Sequence, residues 1–236
     1  MLFRSHKQTT YVGFAMPVEA LIFDLDGTLV DTAPDLIQAT NHVLQSIGRR
    51  SVSYQEFRGF VGHGAMNLIE RGTLATGTAV DPAMLKRLHR NFLDYYGENI
   101  SVHSKIFDGI PGLLDEAAAR GLKMGVCTNK VEGLSHKLLD ELGLAKWFEA
   151  VVGGDTLPIM KPDPAPYREV AKRLGVDAAR TIMFGDSETD IRTAHNTGVP
   201  VVAVTFGYTA QPVETFDPTH VIDHYDQAWP IVLKYL

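Results

Sequence analysis

The chain has 236 residues, of which 45% are hydrophobic, and a formal net charge of -6 at pH 7. This length supports a sizeable buried core, and the absence of any run of eighteen apolar residues argues against a membrane-spanning helix and a membrane partner. The acidic balance argues against a general nucleic-acid surface, and a single cysteine, Cys127, excludes a disulfide framework within the chain.

Residues 1–16 precede the first predicted strand. They include Arg4 and Lys7 but lack the apolar segment of a secretory signal, so we expect an N-terminal extension outside the fold. Cys127 lies in an apolar run, which favours a buried hydrophobic role. These features predict a reducing, cytoplasmic location.

The first apolar run ends at two acids, Asp24 and Asp26, which are separated by one residue and followed by Gly27. In an open parallel sheet the ligand crevice lies at the carboxyl ends of the strands, so these acids are the first candidates for chemistry. The alternative is that they only end the strand and cap the next helix. For Thr28 and Asp31 we expect helix capping.

Residues 34–102 carry only helical signals. Pro34 predicts the first turn of one helix, and Ser53 and Glu56 form a capping box for another. Asp81 and Pro82 begin a third apolar stripe, which we expect to stop at Gly97. The segment therefore predicts about four helices in a cap domain, inserted after a first core segment at residues 17–33.

From residue 103 to residue 236, strands alternate with helices, which indicates βαβ units and a parallel sheet. Helices are predicted near 111–120, 132–142, 165–174 and 188–197, each followed by a glycine at Gly121, Gly143, Gly175 or Gly198. Later strands are predicted at 201–204 and 220–222. The predicted fold class is α/β, with a parallel-sheet core completed by residues 103–236 and an inserted helical cap.

Several later strands of this predicted sheet also end in polar residues. The strand ends are Thr128-Asn129-Lys130, Gly153-Gly154-Asp155 and Gly185-Asp186-Ser187. Parallel strands bring such residues to one edge, where they would surround a ligand.

Four of these segments, in order, resemble the motifs of the haloacid dehalogenase superfamily, and within it the phosphoglycolate phosphatase group. The matching residues are Asp24-Leu25-Asp26-Gly27-Thr28, then Thr128, then Lys161 in Lys161-Pro162-Asp163-Pro164, and then Gly185-Asp186-Ser187-Glu188-Thr189-Asp190. The resemblance spans about residues 18–225. It implies a Rossmann-like core with a helical cap and a magnesium-dependent phosphatase activity.

The resemblance also implies roles for the two acids. Asp24 would attack phosphorus and become an aspartyl phosphate, while Asp26 would protonate the departing alkoxide and then activate water. Two close carboxylates repel each other, which helps to keep one of them protonated as an acid.

For the phosphoryl group, the resemblance implies that Thr128 and Lys161 hold its oxygens, with Asn129 beside them. Gly27 would permit close approach of the backbone to the substrate. These four residues are the predicted substrate contacts in the core.

A metal ion is implied by charge. Three ionised aspartates, a phosphomonoester and Lys161 sum to about -4, which a divalent cation would halve. Magnesium is expected because the available ligands are hard oxygens. The resemblance implies that the metal ligands are Asp24, the Asp26 carbonyl and Asp186. Asp190 would lie one shell out and position Lys161. It would also form a helix capping box with Ser187.

The expected substrate is a small phosphorylated carboxylic acid, with 2-phosphoglycolate the leading candidate. The glycines of Gly62-His63-Gly64 would let the cap backbone approach it, and His63, or the nearby Arg58 or Arg71, could meet its carboxylate.

Two alternatives stay open. One is a phosphosugar phosphatase or phosphosugar mutase of the same superfamily, although the cap arginine motif of such mutases is not found. The other is a receiver-like phospho-signalling module, against which Asp26 and the inserted helices argue. The sequence leaves the oligomeric state open.

Overall fold

The computed structural model describes residues 17–236, and the extension predicted at 1–16 lies outside them. The strands are β1 (Ala20–Phe23), β2 (Val30–Asp31), β3 (Lys105–Ile106), β4 (Lys123–Cys127), β5 (Ala150–Val152), β6 (Thr181–Gly185), β7 (Val201–Val204) and β8 (His220–Ile222). The helices are α1 (Ala33–Gln45), α2 (Tyr54–Arg58), α3 (Gly64–Thr76), α4 (Pro82–Glu98), α5 (Ile110–Ala119), α6 (Glu132–Glu141), α7 (Pro164–Leu174), α8 (Glu188–Thr197) and α9 (Ala228–Val232). Among these helices, none is both long and apolar enough to cross a membrane.

Six strands form one parallel sheet in the order β5-β4-β1-β6-β7-β8. Phe23, the last residue of β1, is opposite Val126 on one side and Phe184 on the other. This register brings the residues that follow β1, β4 and β6 to the same edge. The predicted α/β fold with a parallel-sheet core is confirmed.

The sheet is buried on both faces. Leu21 and Phe23 of β1 belong to one apolar cluster, whereas Ala20 and Ile22 belong to a second cluster on the opposite face. Phe23 also stacks on Phe184 with their ring centroids 4.7 Å apart. Because both faces are covered, the strands are hydrophobic along most of their length, and polar residues follow the carboxyl ends of β1, β4 and β6.

Helices α1 to α4 lie between β2 and β3. The predicted capping box of Ser53 and Glu56 is present at the start of α2, and the Asp81 carboxylate accepts a hydrogen bond from Met84 N at the start of α4. The predicted stop at Gly97 is wrong by one residue, because α4 continues to Glu98 and Gly97 does not adopt a positive φ.

The connections between the helical segment and the sheet differ from the prediction. Val30 and Asp31 pair with Ile106 and Lys105 in a two-stranded antiparallel ladder that the sequence did not predict. The expected capping by Thr28 and Asp31 is wrong, because β2 separates Thr28 from α1 and the N-cap residue of α1 is Thr32.

The helices after residue 103 agree closely with the sequence. Helices α5, α6, α7 and α8 each begin within one residue of the predicted position. The glycines that follow them, Gly121, Gly143, Gly175 and Gly198, all have φ between 69° and 84°, as left-handed helix ends require.

Two glycines provide a matched test of the packing of the sheet. A Cβ at Gly125 in β4 would overlap Val170 of α7, whereas a Cβ at Gly112 in α5 would meet no atom within 4 Å. We expect Gly125→Ala to lower the free energy of unfolding by about 1–3 kcal/mol through overpacking, and Gly112→Ala to raise it by about 0.5 kcal/mol. Urea denaturation of both variants measures the difference, and equal effects would contradict the described packing of α7 on β4.

Candidate active site

The predicted phosphate-binding lysine lies between two carboxylates at the carboxyl edge of the sheet. Lys161 Nζ donates hydrogen bonds to Asp24 Oδ1 at 2.8 Å and to Asp190 Oδ1 at 2.6 Å. The Lys161 side chain is only 2% exposed. Burial alone would lower the pKa of Lys161, but Asp190 and Asp24 raise it above its usual range, so this lysine carries a positive charge.

Asp190 uses both carboxylate oxygens within the protein. While Oδ1 accepts from Lys161, Oδ2 accepts from Asp186 N at 3.2 Å, Ser187 N at 3.1 Å and Ser187 Oγ at 2.6 Å. The predicted capping box at the start of α8 is therefore present. Asp190 fixes both the Lys161 ammonium and the backbone that carries Asp186.

Asp186 is enclosed by the loops that follow β1 and β7. Its Oδ1 accepts from Thr28 Oγ1 at 3.2 Å, and its Oδ2 accepts from Tyr208 N at 2.7 Å. A Cβ at Gly27, where φ is +85°, would lie 2.6 Å from Asp186 Oδ2. The close approach that Gly27 permits in this structure is therefore that of Asp186.

The carboxylate cluster has the composition of a divalent cation site. Oxygens of Asp24, Asp186 and Asp190 all lie within 4.8 Å of one another. Burial raises the pKa of Asp24 to about 6, and burial followed by the charges of Asp190 and Asp24 raises the pKa of Asp186. Since Lys161 contacts only two of these three acids and the donors are hard oxygens, the cluster fits a divalent cation.

A second buried ion pair was missed by the sequence reasoning. Lys130 Nζ donates to Asp26 Oδ1 at 3.0 Å, to Asp26 Oδ2 at 3.3 Å and to Tyr96 Oη at 2.7 Å. Burial lowers the pKa of Lys130, and the Asp26 carboxylate opposes this change. The available signal was a lysine three residues beyond the end of a buried strand, directly after Thr128 and Asn129.

Thr128 and Asn129 follow β4, as the sequence indicated. Thr128 is buried, and its Oγ1 accepts from Lys130 N at 3.2 Å. The Asn129 amide donates to the carbonyls of Gly62 and Lys161 at 2.9 and 3.0 Å and accepts from Lys161 N at 3.0 Å. Its side chain thus connects the loop before α3 to the loop that carries Lys161.

A cavity of about 250 Å³ lies between the sheet edge and the helical segment. Its lining includes every predicted site residue except Gly27, namely Asp24, Asp26, His63, Thr128, Asn129, Lys161, Asp186 and Asp190. This volume is below the range typical of pockets that bind drug-sized ligands, and it indicates a small ligand.

Three basic side chains of the helical segment, His63, Arg58 and Arg71, also line the cavity. His63 is largely exposed to solvent. The burial that it does have, together with the charge of the nearby Arg71, lowers the pKa of its imidazole. The guanidinium of Arg58 donates to the carbonyls of Gly207 and Thr209 at 3.1 and 3.3 Å, and Arg71 donates to the Gly59 carbonyl. Both arginines therefore contact backbone oxygens in this structure.

Comparisons with known proteins agree with this arrangement. The family model of haloacid dehalogenase-like hydrolases matches residues 21–204. The phosphoglycolate phosphatase of Mesorhizobium japonicum is 44% identical over 206 residues, which cover 87% of this chain and 91% of the relative. The phosphoglycolate phosphatase of Caulobacter vibrioides is 43% identical over 202 residues, which cover 86% of this chain and 85% of that relative. The crystal structure of a predicted phosphoglycolate phosphatase from Haemophilus somnus has a TM-score of 0.86 at 30% identity and covers 91% of this chain and 97% of that chain.

The raised pKa of Asp24 predicts a stability cost in the metal-free protein. Folding raises this pKa from its ordinary value of 3.8 to about 6, so ionised Asp24 opposes folding. Two pKa units correspond to about 3 kcal/mol. This cost is absent below pH 4, grows as pH rises and is complete above about pH 6.

We therefore expect Asp24→Asn to have a higher Tm than the parent at pH 7.5 in EDTA, with the advantage shrinking towards pH 4. Calorimetry of both proteins across this pH range measures the effect. An advantage of the variant that does not change with pH would show that ionisation of Asp24 is not its cause.

Proposed function

The chain belongs to the haloacid dehalogenase-like hydrolase family and is a phosphatase, and on this premise we propose that it hydrolyses 2-phosphoglycolate through an aspartyl-phosphate intermediate with Mg²⁺. The observation that carries the proposal is the buried contact of Lys161 with Asp24 and Asp190 beside Asp186, at the base of a small cavity. The names of the relatives support the choice of substrate.

The first half of the reaction uses the two acids after β1. Lys161 fixes Oδ1 of Asp24, so Oδ2 is the oxygen that attacks phosphorus. As this bond forms, the bond from phosphorus to the ester oxygen breaks and its electron pair leaves with the alkoxide. Asp26 supplies the proton that converts the alkoxide into glycolate.

In the second half, Asp26 removes a proton from water and the resulting hydroxide attacks phosphorus. The bond between phosphorus and Asp24 then breaks, which releases inorganic phosphate and restores both carboxyl groups. Asp26 thus returns to the protonation state in which it began.

We assign the stabilisation of the phosphoryl oxygens to Thr128 and Lys161. Both are buried at the edge that carries Asp24, where hydrogen bonds to a developing charge are stronger than in water. We assign the Asn129 side chain to holding the Lys161 loop, because its amide groups are bonded to backbone atoms.

The proposed Mg²⁺ ligands are Asp24, the Asp26 carbonyl and Asp186. When bound, the cation would offset the negative charge shared by the phosphoryl group and the aspartates. Asp190 acts one shell out, through its contacts with Lys161 and the Asp186 backbone.

We propose that residues 34–102 act as a cap over a core formed by residues 17–33 and 103–236. Contacts across the cavity support this division: Asn129 with the Gly62 carbonyl and Lys130 with Tyr96 of α4. A closed cavity excludes water during the first half-reaction. His63 is the proposed contact at the rim of the cavity.

Substitution of the two acids should block turnover at different steps. We expect Asp24→Asn and Asp26→Asn each to lower kcat about a thousandfold or more, while the surface change Asp140→Asn on α6 has no effect. With p-nitrophenyl phosphate, whose leaving group needs little protonation, the Asp26 variant should accumulate an acid-stable phosphoenzyme. Mass spectrometry after acid quench detects it, and a phosphoenzyme in the Asp24 variant would exclude Asp24 as the nucleophile.

The activity should require a divalent cation. We expect EDTA to abolish phosphate release and Mg²⁺ to restore it, because the site otherwise carries a charge of about -4 with substrate bound. Ca²⁺ should support little activity, since its looser coordination relaxes the in-line geometry. A phosphate-release screen of small phosphomonoesters and phosphosugars, with and without Mg²⁺, should give 2-phosphoglycolate the highest kcat/KM; preference for a phosphosugar would reject the proposed substrate.

A further inference from the structure

Lys130 has an environment that the phosphoryl-transfer steps do not explain. Its ammonium is buried at the cavity wall, with the side chain 5% exposed, and it contacts Asp26 instead of the phosphate-binding edge formed by Asp24 and Asp186. A buried lysine is costly unless its charge has a partner, and the partner of this one is Asp26, the proposed proton donor to the leaving group.

The covalent geometry of the proposed substrate limits where its carboxylate can lie. In 2-phosphoglycolate the ester oxygen and each carboxylate oxygen are joined by three bonds, so they are separated by at most about 4 Å. Asp26 must approach the ester oxygen to about 3 Å in order to protonate it. The group that binds the carboxylate must therefore lie within about 10 Å of Asp26, and an immediate neighbour of Asp26 satisfies this limit.

Among the cations that line the cavity within residues 17–236, Lys130 meets this condition. Its Nζ is 3.0 Å from Asp26 Oδ1. Lys161 is held by Asp24 and Asp190, and the guanidinium groups of Arg58 and Arg71 contact backbone carbonyls.

We propose that Lys130 is the residue that recognises the substrate carboxylate, and that it thereby determines selectivity for phosphomonoesters with a carboxylate one carbon from the ester oxygen. This inference rests on the proposed function and names the contact that distinguishes its substrate class. Lys130 Nζ carries three N–H groups, so with one on Tyr96 Oη and one on Asp26 Oδ1 the third, which now makes the longer contact with Asp26 Oδ2, can turn to the substrate carboxylate.

Tyr96 of α4 is the positioning residue for Lys130. Its hydroxyl accepts from Lys130 Nζ at 2.7 Å, and the ammonium lies 4.3 Å from the centroid of its ring. The carboxylate-binding lysine therefore comes from the core and is oriented by the helical segment.

The test compares substrates that differ only in the carboxylate. We expect the parent protein to prefer 2-phosphoglycolate over ethyl phosphate and over 3-phosphopropionate, whose extra methylene moves the carboxylate away from Lys130. Lys130→Met should lower kcat/KM for both 2-phosphoglycolate and ethyl phosphate, because Asp26 also loses its partner. The ratio of kcat/KM for 2-phosphoglycolate to kcat/KM for ethyl phosphate should in addition fall by about 30-fold or more. Lys130→Arg should restore part of this ratio.

Binding to inactive protein separates recognition from proton transfer. In the Asp24→Asn background, Lys130→Met should weaken the affinity for 2-phosphoglycolate by about 30-fold while the affinity for ethyl phosphate changes by less than about threefold. Calorimetric titration in Mg²⁺ measures both. Lys172→Met, which removes an exposed lysine of α7, is the matched control for lost charge and should leave both affinities unchanged.

The outcomes distinguish the two proposals. If the parent protein shows no preference for 2-phosphoglycolate over ethyl phosphate, the proposed function fails and the role of Lys130 fails with it. If the preference exists and survives Lys130→Met, only the role of Lys130 is overturned. Loss of the preference in His63→Ala but not in Lys130→Met would assign the carboxylate to His63 instead.

Discussion

The buried ammonium of Lys161, held between Asp24 and Asp190, is the interaction on which the rest of the site depends. The acids that follow β1 and β6 would repel one another at the sheet edge without it. The same carboxylate of Asp190 that holds Lys161 also accepts from the backbone of Asp186 and Ser187. A single charge therefore links the loop after β5 to the ends of β1 and β6, and it orients the two acids that would meet a cation and a phosphoryl group.

A second charge pair, between Asp26 and Lys130, lines the same cavity. In the proposed mechanism the two pairs divide the substrate between them: Lys161 and Thr128 would face the phosphoryl group, which all phosphomonoesters share, whereas Lys130 would face the leaving group, which differs among them. Recognition and protonation of the leaving group then occur at adjacent atoms, because the substrate is too short for the two events to be separated.

The fold and the core of the site could be predicted because their signals are local. Apolar runs that end in Asp24, Thr128 and Asp186 locate the strand ends, and the capping patterns at Ser53 and Ser187 locate helix starts. Contacts that depend on distant parts of the chain could not be predicted in this way. The pairing of Lys130 with Tyr96 joins residues 34 positions apart, and Thr28 contacts Asp186 across 158 positions. No local pattern marks either contact, so Thr28 resembled a helix cap and Lys130 an unassigned polar residue.

Contacts that join the helical segment to the core at the cavity bear on how the products of the reaction are released. Asn129 with the Gly62 carbonyl, Arg58 with the Gly207 and Thr209 carbonyls, and Lys130 with the Tyr96 hydroxyl are all single hydrogen bonds to neutral oxygens. Water can replace each of these oxygens at little net cost in free energy, in contrast to the ion pairs within the core. The helical segment and the core are thus joined partly by exchangeable contacts at the cavity and partly by the buried Asp35 carboxylate, which accepts from His103 N and Ser104 N. Release of the products through the cavity would therefore not require the charged site to be taken apart.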